Sequence, residues 1–243
     1  MTDATGSCSF AAIPAKAGRR RLLLAIPNKD GAPTLLPTID LVEDGPTDVD
    51  LAKLVTTNLV VLSASGTPAL GAMVVTLPLD SAPPDEWVEP LHCDMGGRAV
   101  VRAFGRTLAF VFNGIEYGHK ILDTGIGAAT VELQLKPMLE MQIRIVDARG
   151  EPAEGAMMTM RSSMSARSSD APGEKHIRHV VSQLNHWLRD RHRADTEGRI
   201  RLPFVPPPTL DYTIGAWLND VGTSRAVPLE ATTGELVLEL KPR

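Results

Sequence analysis

The residues most able to do chemistry in this sequence are three closely spaced histidines, His176, His179 and His186. On a helix, His176 and His179 would lie about one turn apart, where two imidazoles can share a metal ion. His186 would lie about 10 Å further along the axis from His179, so it does not complete that pair. The spacing therefore favours a solvated flank of a helix over a metal site, and no cofactor is expected.

Sequence motifs of common enzyme active sites are missing from the chain. It has no G-x-S-x-G nucleophile turn, no glycine-rich phosphate loop and no H-x-x-E pair of zinc-site residues. Catalysis by this chain alone is therefore not expected.

Composition excludes several other classes of protein. The formal net charge is −4, whereas nucleic-acid binders normally present a basic face, so no nucleic acid is expected as a partner. No apolar stretch approaches the ~20 residues of a membrane helix. Arg19–Arg21 followed by Leu22–Ile26 resembles the start of a signal peptide, but Pro27 ends the apolar run early and we predict a strand there. The two cysteines, Cys8 and Cys93, do not form a disulfide framework and are predicted to be thiols.

The chain repeats itself. Gly66–Met73 and Gly150–Met157 share the pattern G-x-P-A-x-G-A-M, and the ends of two units share L-x-L-K-P, at residues 133–137 and 238–242. A third element, D-x-x-G, occurs three times in register, as Asp3–Gly6, Asp94–Gly97 and Asp195–Gly198. Internal repeats on this scale indicate an array of one small unit.

The D-x-x-G elements have a direct structural interpretation. Asp is favoured at the first position of a type I turn and Gly at the fourth, so these residues are predicted to be hairpin turns, with calcium binding or catalysis as minor alternatives. Gly66 and Gly150 are predicted to be structural turns in the same way.

Apolar and polar residues alternate with a period of two over most of the chain. The inward-facing sets are predicted to be Met141, Ile143 and Ile145; Val131, Leu133 and Leu135; and Ile200, Leu202 and Phe204. Nineteen prolines and twenty glycines separate these short runs, which suits an all-β fold of tandem Greek-key sandwiches. The predicted units are a C-terminal half-unit at 1–54, whose front strands are absent, and complete units at 55–137 and 138–243.

One stretch of the last unit has a helical period. The second unit has a longer segment between Ala156 and Asp195 than the first has between Ala72 and Asp94. Within it, apolar residues recur with the spacing of one helix face, at Ile177, Val180, Val181, Leu184, Trp187 and Leu188. An amphipathic helix is therefore predicted at about 174–191, with Asp170 as a start signal.

The apolar stripe of this helix has three possible roles. The favoured one is docking on its own sandwich or on the neighbouring unit. In the second, the helix binds a separate protein, with Trp187 and Leu184 as anchors and Arg178 and Arg189 as a polar rim. Binding to a membrane surface is the least favoured.

The order of these motifs resembles that of the carboxypeptidase regulatory-like domains, which have a seven-stranded prealbumin-like (transthyretin-like) sandwich. The matching residues in the last unit are Gly150, Pro152, Gly155, Ala156, Asp195, Gly198, Leu202, Val205 and Pro206, and in the preceding unit Gly66, Pro68, Gly71, Ala72, Asp94 and Gly97. The Gly-Tyr pair usual in the family is reversed here as Tyr117-Gly118. Enzymes that share this sandwich carry signatures absent here, such as the H-x-H pair of intradiol dioxygenases or a terminal Tyr-Arg-Gly-Ser.

The resemblance implies a non-enzymatic structural or interaction module, a fragment or accessory region of a larger bacterial multidomain protein. Its partner would be another protein or the rest of a longer chain, and its location would be extracellular or in the cell envelope. The alternatives are a module that binds carbohydrate or peptide, and an accessory domain of an attached hydrolase.

Overall fold

The computed structural model describes the backbone of four short strands between residues 21 and 40, and then residues 54–80, 83, 90–103, 105–123, 129–164, 173–190, 192–205, 210–228 and 235–242. The four short strands are β1 (Arg21–Leu22), β2 (Ala25–Asn28), β3 (Gly31–Leu35) and β4 (Ile39–Asp40). They form two antiparallel pairs, β1 with β4 and β2 with β3. The strand prediction after Arg19–Arg21 is confirmed for β1 and β2. Asp3, Gly6 and Cys8 lie outside the described residues.

Eight strands form the first sandwich. They are β5 (Val55–Leu62), β6 (Met73–Pro78), β7 (Leu91–His92), β8 (Arg98–Ala103), β9 (Arg106–Phe112), β10 (Glu116–Asp123), β11 (Thr130–Gln134) and β12 (Lys136–Pro137). One sheet has the order β12-β10-β9-β6-β7 and the other β11-β5-β8. Between them lies a core to which Leu59, Val101, Val74 and Val111 contribute.

Seven strands form the second sandwich. They are β13 (Leu139–Val146), β14 (Met157–Met164), β15 (Arg199–Phe204), β16 (Leu210–Leu218), β17 (Gly222–Ser224), β18 (Val227–Pro228) and β19 (Leu236–Lys241). They form a single hydrogen-bonded path, β14-β16-β17-β19-β13-β15, with β18 paired to β16. The all-β sandwich prediction is confirmed. The alternation behind it appears as burial, because Ile143, Ile145, Ile200, Leu202 and Phe204 are all buried.

The L-x-L-K-P motif closes each sandwich. In the second sandwich, β19 runs parallel to β13 at one end and antiparallel to β17 at the other, so one strand joins both faces. In the first sandwich two separate strands make these connections: β11 pairs with β5 of one sheet, and β12 pairs with β10 of the other. Leu135, between them, is buried like its counterpart Leu240.

The G-x-P-A-x-G-A motif has the same hydrogen-bond network in both sandwiches. Ala69 N donates to Val61 O at 2.9 Å, and in the second sandwich Ala153 N donates to Ile145 O at 3.0 Å. Further along the motif, Gly71 N bonds to Cys93 O just as Gly155 N bonds to Ala194 O. The sequence repeat is therefore a repeat of backbone geometry.

The described D-x-x-G elements are tight turns. Gly97 N donates to Asp94 O at 3.0 Å, while Asp94 Oδ1 accepts bonds from the amides of Gly96 and Arg98, each at 2.8 Å. Asp195 makes the matching bonds to Glu197 and Arg199 at 2.9 and 2.8 Å. The carboxylates are thus engaged with backbone amides of their own turns.

The glycine that ends each turn is constrained in two ways. Gly97 and Gly198 have φ of 68° and 73°, a region that side chains with a Cβ disfavour. A Cβ at Gly97 would also lie 2.5 Å from Val61 O, and one at Gly198 would lie 2.3 Å from Ile145 O. The turns pack directly on the strand that precedes the G-x-P-A-x-G-A motif.

The one helix of the described residues is α1 (Glu174–Asp190), which confirms the predicted helix. Ile177 N donates to Gly173 O at 2.9 Å, so the helix begins just after Gly173. Glu174 in its first turn and Arg189 in its last turn have charges that suit the helix dipole. Asp170, the predicted start signal, is outside the described residues. No helix in the described part of the chain is long and apolar enough to cross a membrane.

Candidate functional site

Helix α1 is enclosed almost completely by the protein. Between residues 174 and 189 only Lys175 is exposed, and Val180, Val181, Leu184 and Leu188 are buried. The predicted solvated histidine flank is therefore wrong: His176 is 5% exposed, and His179 and His186 are half-buried. A helix with a single apolar stripe would leave its other side in water, so a second surface must cover this one.

One side of the helix is fixed to the second sandwich by Asn185. Its Nδ2 donates to Val205 O at 3.0 Å, and Val205 N donates to its Oδ1 at 3.1 Å. The side-chain amide thus satisfies both backbone groups of a buried residue just after β15. The same Nδ2 lies 3.4 Å from the Tyr212 hydroxyl. Burial raises the pKa of this hydroxyl, and the hydrogen bonds with Asn185 and Ser182 oppose the rise.

The opposite side of the helix meets the first sandwich. Trp187 packs edge-on against Phe112, with ring centroids 6.2 Å apart and planes at 74°. At the other end, the backbone of Gly173 comes so close that a Cβ there would lie 3.2 Å from Ile121 Cδ1. Gly173 and Trp187 are two heptads apart and share one side of the helix, whereas Asn185 lies about 200° around the axis from Trp187. The two sandwiches therefore hold α1 from opposite sides.

The first sandwich presents an apolar sheet face to the helix. On β9, Ala109 and Val111 face the core of the sandwich, while Leu108, Phe110 and Phe112 belong to the same cluster as α1. Val75, Leu77 and Tyr117 extend this face on the neighbouring strands. Without the helix it would be an exposed apolar patch on a strand buried from residue 107 to 112.

The predicted partner-binding residues are all on α1, and none of them is exposed. Leu184 is 0% exposed, and Trp187 is half-buried against Phe112. Arg178 pairs with Glu174 at 3.7 Å, and its side chain is only 11% exposed. Arg189 is half-buried. Leu184 and Trp187 thus pack into the core that the two sandwiches share, which we call the junction. A role of the four residues in binding a separate partner stays a prediction.

The three tryptophans have different surroundings. Trp187 lies at the junction, Trp217 is half-buried on β16, and Trp87 is outside the described residues. An aromatic row crosses the first sandwich beside the junction, where Phe110 stacks on Tyr117 at 6.3 Å and Lys136 Nζ lies 4.7 Å from the Tyr117 ring centroid. These rings are packing elements of the shared core.

Two further groups that could carry chemistry have pKa values shifted by their surroundings. Cys93 is buried, and its pKa is raised to about 11 by burial and by the nearby charge of Asp94, so its thiol is protonated at neutral pH. The pKa of His119 is lowered by burial and by Lys136. Within the described ranges, no three His, Cys, Asp or Glu residues are grouped so that they could hold a metal ion.

No protein-family model matches the sequence, and the search of curated proteins gives no match. Among solved structures, the shaft pilin SpaA from Lactobacillus rhamnosus GG aligns with a TM-score of 0.36 and 12% identity over 78% of this chain and 98% of that chain. The minor pilin GBS52 from Streptococcus agalactiae aligns with a TM-score of 0.35 and 13% identity over 78% of this chain and 97% of that one. A streptococcal ancillary pilin covers 93% of this chain and 76% of its own, with a TM-score of 0.26 and 12% identity.

Three features were not predicted from the sequence, and the first two belong to the junction. The burial of β9 on both faces is signalled by its unbroken run Leu108-Ala109-Phe110-Val111-Phe112, in which apolar residues do not alternate with polar ones. Asn185 carries no pattern that marks it as an anchor. A further D-x-x-G turn lies at Asp147–Gly150, where Asp147 Oδ1 accepts hydrogen bonds from backbone amides at 2.8 and 3.0 Å. The sequence signal for this turn is the D-x-x-G pattern itself.

Proposed function

We propose that this chain is a non-enzymatic structural module that holds two β-sandwiches in a fixed mutual orientation. The observation that carries the proposal is the position of α1. Its apolar side chains share one continuous core with the outer face of the first sandwich and the interior of the second. A linker that only tethered two units would not need this shared core.

The energetics of the junction support a stiff connection. Phe110, Phe112, Leu108 and Leu184 are each at most 1% exposed, and burying one large apolar side chain contributes about 1.5 to 3 kcal/mol. Separating the sandwiches would expose several of these at once. Only Met138 separates β12 from β13, which leaves little chain for free movement.

The proposal extends to the setting of the module. The motif order resembles that of the carboxypeptidase regulatory-like domains, with units at 55–137 and 138–243 after a half-unit at 1–54. On this reading the chain is a spacer or interaction region of a larger bacterial surface or envelope protein, and it binds another protein or the rest of a longer chain.

Distance measurements between the two sandwiches would test the fixed orientation. Spin labels can be placed at Val100→Cys and Val237→Cys, which are 52% and 56% exposed on different sandwiches, after Cys8→Ser and Cys93→Ala remove the native thiols. We expect a narrow distance distribution between the labels. Adding Trp187→Ala, which removes the contact with Phe112, should broaden it.

A matched label pair within one sandwich gives the control. Labels at Val100→Cys and Ile115→Cys, the latter position being 69% exposed, should give a narrow distribution with or without Trp187→Ala. A broad distribution between the sandwiches of the otherwise native protein would refute the proposed function.

A further inference from the structure

The two sandwiches differ most on one equivalent sheet face. Their strand registers match, because Met73 pairs with Phe112 in the first and Met157 pairs with Trp217 in the second. Following these registers, the apolar residues Val75, Leu77, Leu108, Phe110 and Tyr117 correspond to Thr159, Arg161, Thr213, Gly215 and Thr223. The face that packs against α1 in the first sandwich is thus polar in the second. The exception is Trp217, which occupies the position of Phe112.

This polar face contains a groove of about 550 Å³. Trp217, Thr213 and Thr223 line it together with Thr159 and Arg161 from β14. The buried Gly215 lies against this lining, because a Cβ there would lie 2.9 Å from Thr159 Oγ1. Trp217 also lines a second depression, which Asn219, Asp220 and Pro242 complete. A side chain at position 215 would meet Thr159, Ser224 and Ala226, which all line the groove.

Four of the polar side chains that line the groove have no hydrogen-bond or ion-pair partner among the described residues. The Ser224 hydroxyl is engaged, because it accepts a bond from Ala216 N at 2.7 Å and donates one to Arg225 O at 3.2 Å. By contrast, the hydroxyls of Thr159, Thr213 and Thr223 have no side-chain hydrogen bond to any described residue, and the Arg161 guanidinium has no described ion-pair partner. Three hydroxyls, one guanidinium and a half-buried indole ring thus line the same groove.

These groups suit a sugar better than other ligands. The indole offers a flat apolar surface for the C–H face of a pyranose ring, and the threonine hydroxyls can both donate and accept hydrogen bonds. An exposed guanidinium such as that of Arg161 pairs most strongly with a carboxylate or phosphate of a ligand. Arg161 pairs in register with Thr213, four residues from Trp217, which is about 13 Å along a strand. That span exceeds one sugar ring.

We propose that this face of the second sandwich binds an oligosaccharide that carries carboxylate groups. A sugar ring stacks on Trp217, the threonine hydroxyls bind its hydroxyl groups, and Arg161 binds a carboxylate of a neighbouring ring. This binding function is additional to the spacer function and does not depend on it, because α1 lies at the junction and not in this groove.

Calorimetric titration of the full chain tests the proposal with trisaccharides of galacturonate, glucuronate and mannuronate and with their neutral counterparts. At least one acidic trisaccharide should bind more tightly than its neutral form. Arg161→Gln should remove that preference by weakening the acidic ligand about tenfold or more, since hydrogen bonds to charged groups are among the stronger ones. Trp217→Leu should weaken both forms.

The control is Arg201→Gln, which removes an exposed arginine from β15, outside the groove, and should leave every affinity unchanged. Because Arg161 is exposed, its replacement leaves the fold intact and its result can be interpreted even if Trp217→Leu lowers stability. The proposal is overturned if none of the acidic trisaccharides binds the native protein, or if Arg161→Gln and Trp217→Leu both leave the affinity unchanged. Binding of peptides instead of sugars at this face would equally overturn it.

Discussion

Replacing both Leu184 and Trp187 with alanine should destabilise the protein by about 4 to 7 kcal/mol. Leu184 is fully buried in the shared core, where loss of a leucine side chain costs about 2 to 5 kcal/mol. Trp187 is half-buried, so its truncation adds less than the loss of a fully buried tryptophan would. The change in the free energy of unfolding can be measured by urea denaturation of the native chain and the double variant.

Lys175→Ala provides the matched control, because Lys175 is the exposed residue of the same helix and its loss should change stability by no more than about 0.5 kcal/mol. The junction account fails if the double variant is as stable as the native protein. If it were, and if it no longer captured a specific protein that the native chain captures, the stripe would serve an external partner instead.

Gly97→Ala should destabilise the first sandwich by about 3 kcal/mol or more, and Gly198→Ala should do the same to the second. Each replacement forces a residue with a Cβ into positive φ, which alone costs about 1 to 3 kcal/mol. In addition, the new Cβ would lie 2.5 Å from Val61 O in one case and 2.3 Å from Ile145 O in the other, so backbone must move.

Gly66→Ala and Gly150→Ala separate these two causes. Both glycines have positive φ, 85° and 83°, but no atom lies within 4 Å of a Cβ added at either. These variants should therefore lose only the conformational part, about 1 to 2 kcal/mol. Equal losses in all four alanine variants, measured by thermal unfolding, would show that the close approach of the turn to the strand contributes nothing.

The sequence predicted the sandwiches and the helix for different physical reasons. Strand alternation is local, and the three runs that include Ile143, Leu133 and Leu202 became buried strand faces. The helix was recognisable because six apolar residues follow a helical period inside an otherwise β-rich chain. The turn motifs were recognisable because few residues other than glycine fit the backbone at Gly97 and Gly198.

The surface against which the helix packs was not predictable from the helix alone. An apolar stripe defines a face to be buried but not the surface that covers it. The decisive signal is on a different unit, in the continuous apolar run of β9, and it connects to α1 only through tertiary contact between Phe112 and Trp187. The histidines were misjudged for the same reason, because their side of the helix is polar in sequence yet enclosed in the fold.

Trp187 and Trp217 illustrate a further limit. In the sequence each is a single tryptophan followed by a leucine, and this local pattern does not distinguish a junction residue from a groove residue. The position of Trp217 in the groove arises from the strand register, which places it opposite Met157 on β14. A groove assembled from three strands leaves no contiguous motif.

Native-state hydrogen exchange is the most direct test that α1 joins the two sandwiches into one cooperative unit. Mass spectrometry of peptides that cover β9 and β16 gives the free energy of opening of each sandwich in the intact chain. We predict that both open with the same free energy, within about 1 kcal/mol, and that Trp187→Ala separates the two values. Two clearly different opening free energies in the native protein, each with its own denaturant midpoint, would contradict the account.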